Sequence, residues 1–222
     1  MGTLTKYRLD KLDCEIFFET GTGTGASLQH AICNGRFKKF YSCEIHSATY
    51  QKVNKIFSNY PAVTIINKDS IEALLYLLPQ IDPNKRILFF LDAHFPGETE
   101  KEFNATDRKS DSTSLPLKRE LKLIHKLRPE SDDIIIIDDL RIYEDGDYEN
   151  GNIPKGFANL KDSDRDISFV DLLFPNRLIS RFFSDDGYMI ISPKENTLNF
   201  SKLSIFYRAK RSLMKNLRKL FG

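Results

Sequence analysis

The 222-residue chain is 41% hydrophobic and 29% charged, which fits one globular domain with a sizeable core. A formal net charge of only +2 gives no overall sign of a nucleic-acid partner. Three cysteines without a C-x-x-C spacing argue against a disulfide framework or zinc knuckle and favour a reducing, cytoplasmic location. The first residues lack the apolar core of a signal peptide, and no run approaches the roughly 20 apolar residues that span a bilayer.

Short apolar runs alternate with segments of helical period, a pattern that predicts an α/β fold around a mainly parallel sheet. The predicted strands are residues 15–19, 40–44, 63–67, 86–92 and 133–138. The predicted helices between and after them are residues 26–33, 48–57, 70–78 and 117–127. Four consecutive isoleucines in the fifth strand predict a central strand that is buried on both faces.

The pattern changes after the fifth strand. Two strand-like runs, residues 178–183 and 188–192, lie on either side of Asp186-Gly187. This pattern predicts an antiparallel hairpin. Two long polar segments, 95–116 and 143–165, follow the ends of the fourth and fifth strands. Ligands of open α/β sheets bind outside these strand ends, so we expect both segments to cover a substrate.

A glycine-rich turn, Glu19-Thr20-Gly21-Thr22-Gly23-Thr24-Gly25, follows the first strand. Such a turn suits the phosphate or carboxylate group of a ligand equally well. The turn also fits the dinucleotide-binding pattern G-x-G-x-x-A. Glu44 lies at about the sequence spacing of the acid that contacts a ribose in such proteins, so an NAD-dependent oxidoreductase is one hypothesis. Glu19 favours another reading, because a dinucleotide-binding turn has an apolar residue there and a buried carboxylate calls for a cationic or hydrogen-bond-donating ligand.

The motif Glu19-x-Gly21-x-Gly23-x-Gly25 resembles motif I of class I S-adenosylmethionine-dependent methyltransferases. The resemblance implies their Rossmann-like fold, a mostly parallel seven-stranded sheet with an antiparallel hairpin near the C-terminus. In such enzymes an acid after the second strand binds the ribose, and a pair after the third strand lies beside the adenine. The residues implied to hold S-adenosylmethionine are therefore Glu19, Thr20, Gly21, Thr22, Gly23, Gly25, Glu44, Asp69 and Ser70.

Carboxylates also end two other strands, Asp92 the fourth and Asp138 with Asp139 the fifth. In the methyltransferase strand order they converge near the glycine turn. Three converging carboxylates need a cation or large pKa shifts, and hard oxygen ligands suit Mg²⁺. His94 could take a proton from an attacking hydroxyl, because imidazole titrates near neutral pH. His94 could equally hydrogen-bond a loop, and the aspartate pair could cap the next segment.

The pattern Asp92-x-His94 with Asp138-Asp139 resembles the metal-dependent O-methyltransferases that tailor macrolide and aminocoumarin sugars. The resemblance implies that Asp92, Asp138 and Asp139 bind Mg²⁺ and that Asp92 and His94 are catalytic, although the base in that family can be an aspartate. We therefore expect methylation of a hydroxyl on a sugar, a glycan precursor or another polar small molecule. The rival readings are an NAD-dependent oxidoreductase and a catalytically silent methyltransferase-like binding domain.

No N-P-P-Y or D-P-P-Y motif follows the fourth strand, which argues against methylation of nucleic acid. We expect residues 1–200 to form the methyltransferase domain and residues 201–222 a basic amphipathic tail. The tail carries seven basic residues and no acidic one. A helix of this kind could lie on an anionic membrane surface, pack on its own core or bind a second subunit of a homo-oligomer. The first option would place the protein at the inner face of a membrane.

Overall fold

The computed structural model describes residues 4–94, 115–154, 157 and 165–194. Its strands are β1 (Ile16–Thr20), β2 (Lys39–Cys43), β3 (Val63–Ile66), β4 (Ile87–Leu91), β5 (Ile134–Ile137), β6 (Arg177–Phe182) and β7 (Tyr188–Pro193). They form one seven-stranded sheet in the order β3-β2-β1-β4-β5-β7-β6. The first five strands are parallel, and β7 runs antiparallel to both β5 and β6. The predicted fold class is confirmed.

The described helices are α1 (Ala26–Asn34), α2 (Ser47–Phe57), α3 (Ser70–Leu77), α4 (Leu117–Leu127) and α5 (Phe169–Leu173). Each predicted strand and helix has bounds within one residue of those observed. Short elements were not predicted: α5 and the 3₁₀ helices Leu4–Lys6, Leu78–Gln80 and Leu140–Ile142. Segments of three to five residues are too short to show a periodic pattern, so the sequence alone did not reveal them.

Buried side chains cover both faces of the sheet. On one face, Phe18 and Phe89 pack among the apolar side chains of α3, α4 and α5. On the other face, Phe17 and Phe90 pack among those of α1 and α2. The four isoleucines of β5 alternate between these two cores and are all at most 2% exposed. This confirms the prediction of a central strand covered on both sides.

The register of the parallel strands brings their carboxyl ends to one level. Thr20 pairs with Cys43 on one side and with Leu91 on the other, and Leu91 pairs with Ile137. The residues that follow these strand ends therefore start from the same edge of the sheet. This is the edge that binds ligands in open α/β sheets, and it is called the carboxyl edge below.

Part of the polar segment after β5, within residues 143–154, lies against the tip of the β6–β7 hairpin. The Glu149 N–H donates to Phe183 O at 3.2 Å, and the Asn150 N–H donates to Asp185 O at 3.1 Å. Gly187 has φ +83°, and a Cβ there would lie 2.2 Å from the Tyr148 ring. The aromatic ring thus occupies the space that a side chain would need.

Two predicted segments fall largely or wholly outside the described residues. They are the polar segment 95–116, of which only positions 115 and 116 are described, and the basic tail 201–222. Within the described ranges, no helix is both long and apolar enough to cross a membrane.

Candidate active site

The glycine turn passes close to the end of β4. Gly21 has φ +81°, and a Cβ at this position would lie 2.7 Å from the carbonyl oxygen of Asp92. The N–H groups of Gly21 and Thr22 both donate to Cys43 O, at 3.1 and 2.9 Å, so the turn is anchored to β2. Gly23, at the tip, has φ +50°, and a Cβ there would meet no atom of the described residues within 4 Å. The turn is therefore rigid at its base and open at its tip.

Glu19 is a buried carboxyl group with one unused oxygen. Its side chain is 1% exposed, and Oε2 accepts a hydrogen bond from Ser42 Oγ at 2.8 Å. Burial raises the pKa of Glu19 to about 8, an effect that the Ser42 hydrogen bond opposes and the nearby charge of Glu44 reinforces. Among the described residues, Oε1 has no hydrogen-bond partner. A buried carboxyl oxygen without a partner suits a ligand, and a cationic or hydrogen-bond-donating group bound there would favour the ionised form of Glu19.

Glu44 ties the turn to the segment after β2. Its Oε2 accepts from the Gly23 N–H and its Oε1 from the His46 N–H, both at 2.9 Å. Its predicted contact with a ribose stays a prediction.

Asp69 and Ser70 have local roles at the start of α3. Asp69 is the N-cap residue, and its Oδ1 accepts from the Glu72 N–H at 2.8 Å. Ser70 is 5% exposed, and its hydroxyl lies beside the carboxyl group of Glu120 on α4. Their predicted position next to an adenine likewise stays a prediction.

The carboxyl edge brings an imidazole between two carboxylates. His94 Nε2 lies 2.8 Å from Asp139 Oδ2, and His94 Nδ1 lies 3.5 Å from Asp92 Oδ1. One ligand atom from each of these residues lies within 4.8 Å of the others. Asp138, which the sequence assigned to the same metal site, is not in this close group, and its Oδ1 accepts from the Asp139 N–H at 2.9 Å. The structure therefore places His94, the predicted base, among the possible metal ligands.

The protonation of this group is strongly perturbed. Burial and the charge of Asp139 raise the pKa of Asp92 well above its usual range, and burial and Asp92 do the same to Asp138. Burial alone would lower the pKa of His94, but its hydrogen bond to Asp139 and the negative charges of Asp139 and Asp138 together outweigh this effect and raise it. Burial of Asp139 is likewise outweighed by His94, so the pKa of Asp139 is lowered. His94 and Asp139 thus favour an ion pair, whereas Asp92 and Asp138 retain protons.

Two observations show that these residues fit a divalent cation. Asp138 Oδ2 and Asp139 Oδ1 are buried and have no hydrogen-bond partner among the described residues. Asp139 also has φ +48° and ψ +48°, a left-handed conformation that is uncommon outside glycine and often marks a functional site. Unpaired carboxylate oxygens are the hard ligands that Mg²⁺ prefers. A cation there would replace the protons that Asp92 and Asp138 retain.

Three further residues belong to this region and were not singled out from the sequence. Glu120 is 1% exposed, burial raises its pKa to about 7, and its Oε1 has no hydrogen-bond partner within the described part of the chain. Burial and the surrounding acids raise the pKa of Tyr143 well above its usual range. The ring of Phe157 stands edge to face against His94, with centroids 5.8 Å apart. Of these, only Glu120 could have been found from the sequence, because it is a charged residue in the apolar stripe of α4, which includes Leu117 and Ile124.

Comparisons with known proteins bear on the fold. No family model matches the sequence, and a search of curated proteins also finds no match. A structure from Corynebacterium glutamicum aligns with a TM-score of 0.54 and 9% identity, over 82% of this chain and 74% of that one. A candidate caffeoyl-CoA O-methyltransferase from Staphylococcus aureus aligns with a TM-score of 0.51 and 17% identity, over 81% of this chain and 77% of that one. At such identities the likeness is one of fold: a Rossmann-like α/β sheet of the kind found in methyltransferase structures.

Proposed function

We propose that this protein is an S-adenosylmethionine-dependent O-methyltransferase that uses a divalent cation, with Mg²⁺ the first candidate. The observation that carries the proposal is the partly buried group Asp92–His94–Asp139 beside a ligand-binding type of glycine turn. The two are in direct contact, since the space for a Cβ on Gly21 is filled by the backbone of Asp92. A methyl donor and an acceptor hydroxyl bound at this edge would lie side by side, and positioning supplies much of the catalysis of such a transfer.

The donor would be held by the glycine turn, Glu19 and Glu44, with Asp69 and Ser70 at the start of α3. S-adenosylmethionine supplies a methyl group bonded to a positively charged sulfur. The unpaired Oε1 of Glu19 supports this assignment, because it offers an acceptor to a hydrogen-bond donor of the ligand. An apolar residue at this position, as in a dinucleotide-binding turn, would offer none.

The cation would be held by Asp92, Asp138 and Asp139, and the oxygens Asp138 Oδ2 and Asp139 Oδ1, unpaired among the described residues, support the assignment. Bound there, it would supply positive charge that lowers the pKa of a nearby acceptor hydroxyl. We assign His94 the role of base. A cation bound beside His94 would oppose its positive charge and favour the neutral ring. With Nε2 donating to Asp139, Nδ1 of the neutral ring would offer the lone pair that accepts the hydroxyl proton, and Asp139 orients the ring. Phe157 packs against the imidazole and limits its exposure to water.

Titration calorimetry with S-adenosylhomocysteine and with NAD tests the cofactor. We expect binding of the first ligand only; binding of NAD alone would establish the rival oxidoreductase. Transfer of a labelled methyl group to nucleotide sugars and glycan acceptors, with Mg²⁺ or with excess EDTA, tests the reaction. Full turnover in EDTA would contradict the role of the metal. Donor binding without transfer to any hydroxyl acceptor would favour the silent binding domain.

The composition of the basic tail supports a narrower acceptor class. Residues 201–222 combine seven basic residues with apolar residues at helical spacing, which suits an anionic membrane surface on the cytoplasmic side. Lipid-linked glycan precursors are then the acceptors to test first. Co-sedimentation with anionic vesicles should weaken when the seven basic residues are replaced by glutamine. Unchanged co-sedimentation together with loss of a dimer in light scattering would instead assign the tail to a homo-oligomer.

A further inference from the structure

The outer face of α3 and α4 combines exposed apolar and basic side chains. A shallow cavity of about 270 Å³ lies between the two helices. Its apolar lining comes from Ile71, Leu75 and Leu123, and its basic lining from Arg119, Lys122 and Lys126. We call these residues, together with Tyr76, the α3–α4 face.

The apolar side chains at the centre of this face are unusually exposed for their size. Leu75 is 52% exposed and Tyr76 is 56% exposed, although α3 also buries an apolar side made by Ala73, Leu74 and Leu77. The helix is therefore apolar on more of its circumference than the core requires. Adjoining exposed apolar residues of this kind mark a contact surface.

The charge of the face opposes that of the rest of the domain. Residues 1–200 contain five more acidic than basic residues. The α3–α4 face instead has three cations from α4, and the acidic residue nearest in sequence to its apolar centre is Glu72. A fourth exposed cation of α4, Lys118, lies 5.0 Å from the Phe169 ring and points to a different contact. A local excess of positive charge on an acidic domain indicates an anionic partner.

Charge excludes two occupants from within this protein. A second copy docked face to face would place three cations against three cations. The tail at 201–222 carries seven basic residues and no acidic one, so it would be repelled in the same way. A partner helix would need a row of pockets at spacings of three and four residues, whereas this face has a single shallow cavity and two side chains that project outward.

We propose that the α3–α4 face binds an anionic membrane surface. Leu75 and Tyr76 enter the headgroup region, where a tyrosine can bury its ring and keep its hydroxyl in water. Arg119, Lys122 and Lys126 lie at the level of the lipid phosphates. The proposal concerns binding alone and stands even if the proposed methyl transfer does not.

The experiment is co-sedimentation of the full chain with vesicles of phosphatidylglycerol and phosphatidylcholine, compared with vesicles of phosphatidylcholine only. We expect binding to the anionic vesicles that weakens with salt. K122E/K126E should bind about twentyfold more weakly or worse, because each basic residue near such a surface contributes about a factor of five. L75S/Y76S should also bind more weakly. The matched control K52E/K55E reverses two exposed lysines on α2, and it should bind nearly as the wild type does.

Three results would overturn the proposal. The wild-type chain could fail to bind anionic vesicles. K52E/K55E could also lose as much binding as K122E/K126E, which would show that the loss comes from the change in net charge. K122E/K126E could also bind vesicles normally but lose binding to an acidic amphipathic helical peptide, which would make the face a protein-docking surface. Circular dichroism of each variant confirms that a loss of binding is not a loss of fold.

Discussion

Buried acidic side chains are hydrogen-bonded differently at the two edges of the sheet. At the amino edge, where the parallel strands begin, Arg128 Nε donates to Asp133 Oδ2 at 2.5 Å and Arg128 Nη2 donates to Lys85 O at 2.7 Å. Asp133 Oδ1 also accepts from the Ile87 N–H at 2.7 Å. At the carboxyl edge, four acids each keep an unpaired oxygen among the described residues: Glu19, Glu120, Asp138 and Asp139.

The contrast teaches where the fold is stabilised and where it is adapted to a ligand. The buried Arg128–Asp133 ion pair, with its hydrogen bonds to the backbone, connects two strands and a helix. Buried carboxyl groups without partners lower stability, so a protein retains them where a ligand or a reaction needs them. Each of the following predictions changes residues at one of the two edges.

The largest effect is expected at the carboxyl edge from Asp139→Asn. Asparagine tolerates the left-handed backbone of this position, so the fold should survive. Loss of the charge removes a cation ligand and the partner of His94, and methyl transfer should fall by roughly 10²–10⁴-fold. Calorimetry should show nearly unchanged binding of S-adenosylhomocysteine. The matched control Asp132→Asn alters an exposed acid of the amino edge and should leave the rate unchanged; equal losses in both variants would refute the assignment.

At the amino edge, Arg128→Met should lower the free energy of unfolding by about 3–5 kcal/mol, because it leaves Asp133 buried without its counter-charge. Urea denaturation measures the change. The double variant Arg128→Met/Asp133→Asn keeps an acceptor for the Ile87 N–H and should recover part of the loss. If the double variant is no more stable than the single one, the unpaired charge is not the cause.

The Glu19→Gln variant tests the carboxyl edge through the pH dependence of protein stability. The pKa of Glu19 in the fold is about 8, against an ordinary value of 4.5. A raised pKa means that the stability tied to the protonated group is complete below pH 4.5 and is lost as the pH rises through about 8. The glutamine variant cannot ionise, so it should match the wild type near pH 4 and exceed it at pH 9 by on the order of 5 kcal/mol. Denaturation curves that differ by a constant amount at every pH would contradict this.

The smallest effect is expected from a matched pair of glycines in the turn. Gly21→Ala forces a Cβ to 2.7 Å from Asp92 O, whereas Gly23→Ala meets no described atom within 4 Å. Both changes carry the strain of a positive φ, so the steric clash accounts for their difference. Gly21→Ala should be less stable than Gly23→Ala by about 1–2 kcal/mol in thermal denaturation. The opposite order would show that the turn moves away from β4 in solution.

The sequence was sufficient for the fold because the signals were local and strong. Five apolar strands, the glycine turn and the Asp186-Gly187 hairpin all lie where predicted, and Asp92 and Asp139 meet at one edge because the strand order was also correct. The sequence could not show that Asp138 lies outside the close group, because this depends on the left-handed backbone of Asp139. Nor could it show that Glu120 faces the site, since this depends on how α4 is set against the sheet. The cap that Asp69 makes on α3 is different, because Asp69-Ser70-Ile71-Glu72 is a local capping signal that the sequence does carry.

The antiparallel placement of β7 has a consequence for the order in which parts of this protein fold during synthesis. The Leu140 N–H, next to Asp139, donates to Gly187 O at 3.1 Å, and β7 lies between β5 and β6. The backbone that sets Asp139 is therefore tied to residues almost fifty positions later in the chain. During synthesis the glycine turn and α1 to α3 emerge first, but Asp139 cannot be fixed until the hairpin has left the ribosome. The nascent domain can thus gain much of its core well before the candidate active site is complete.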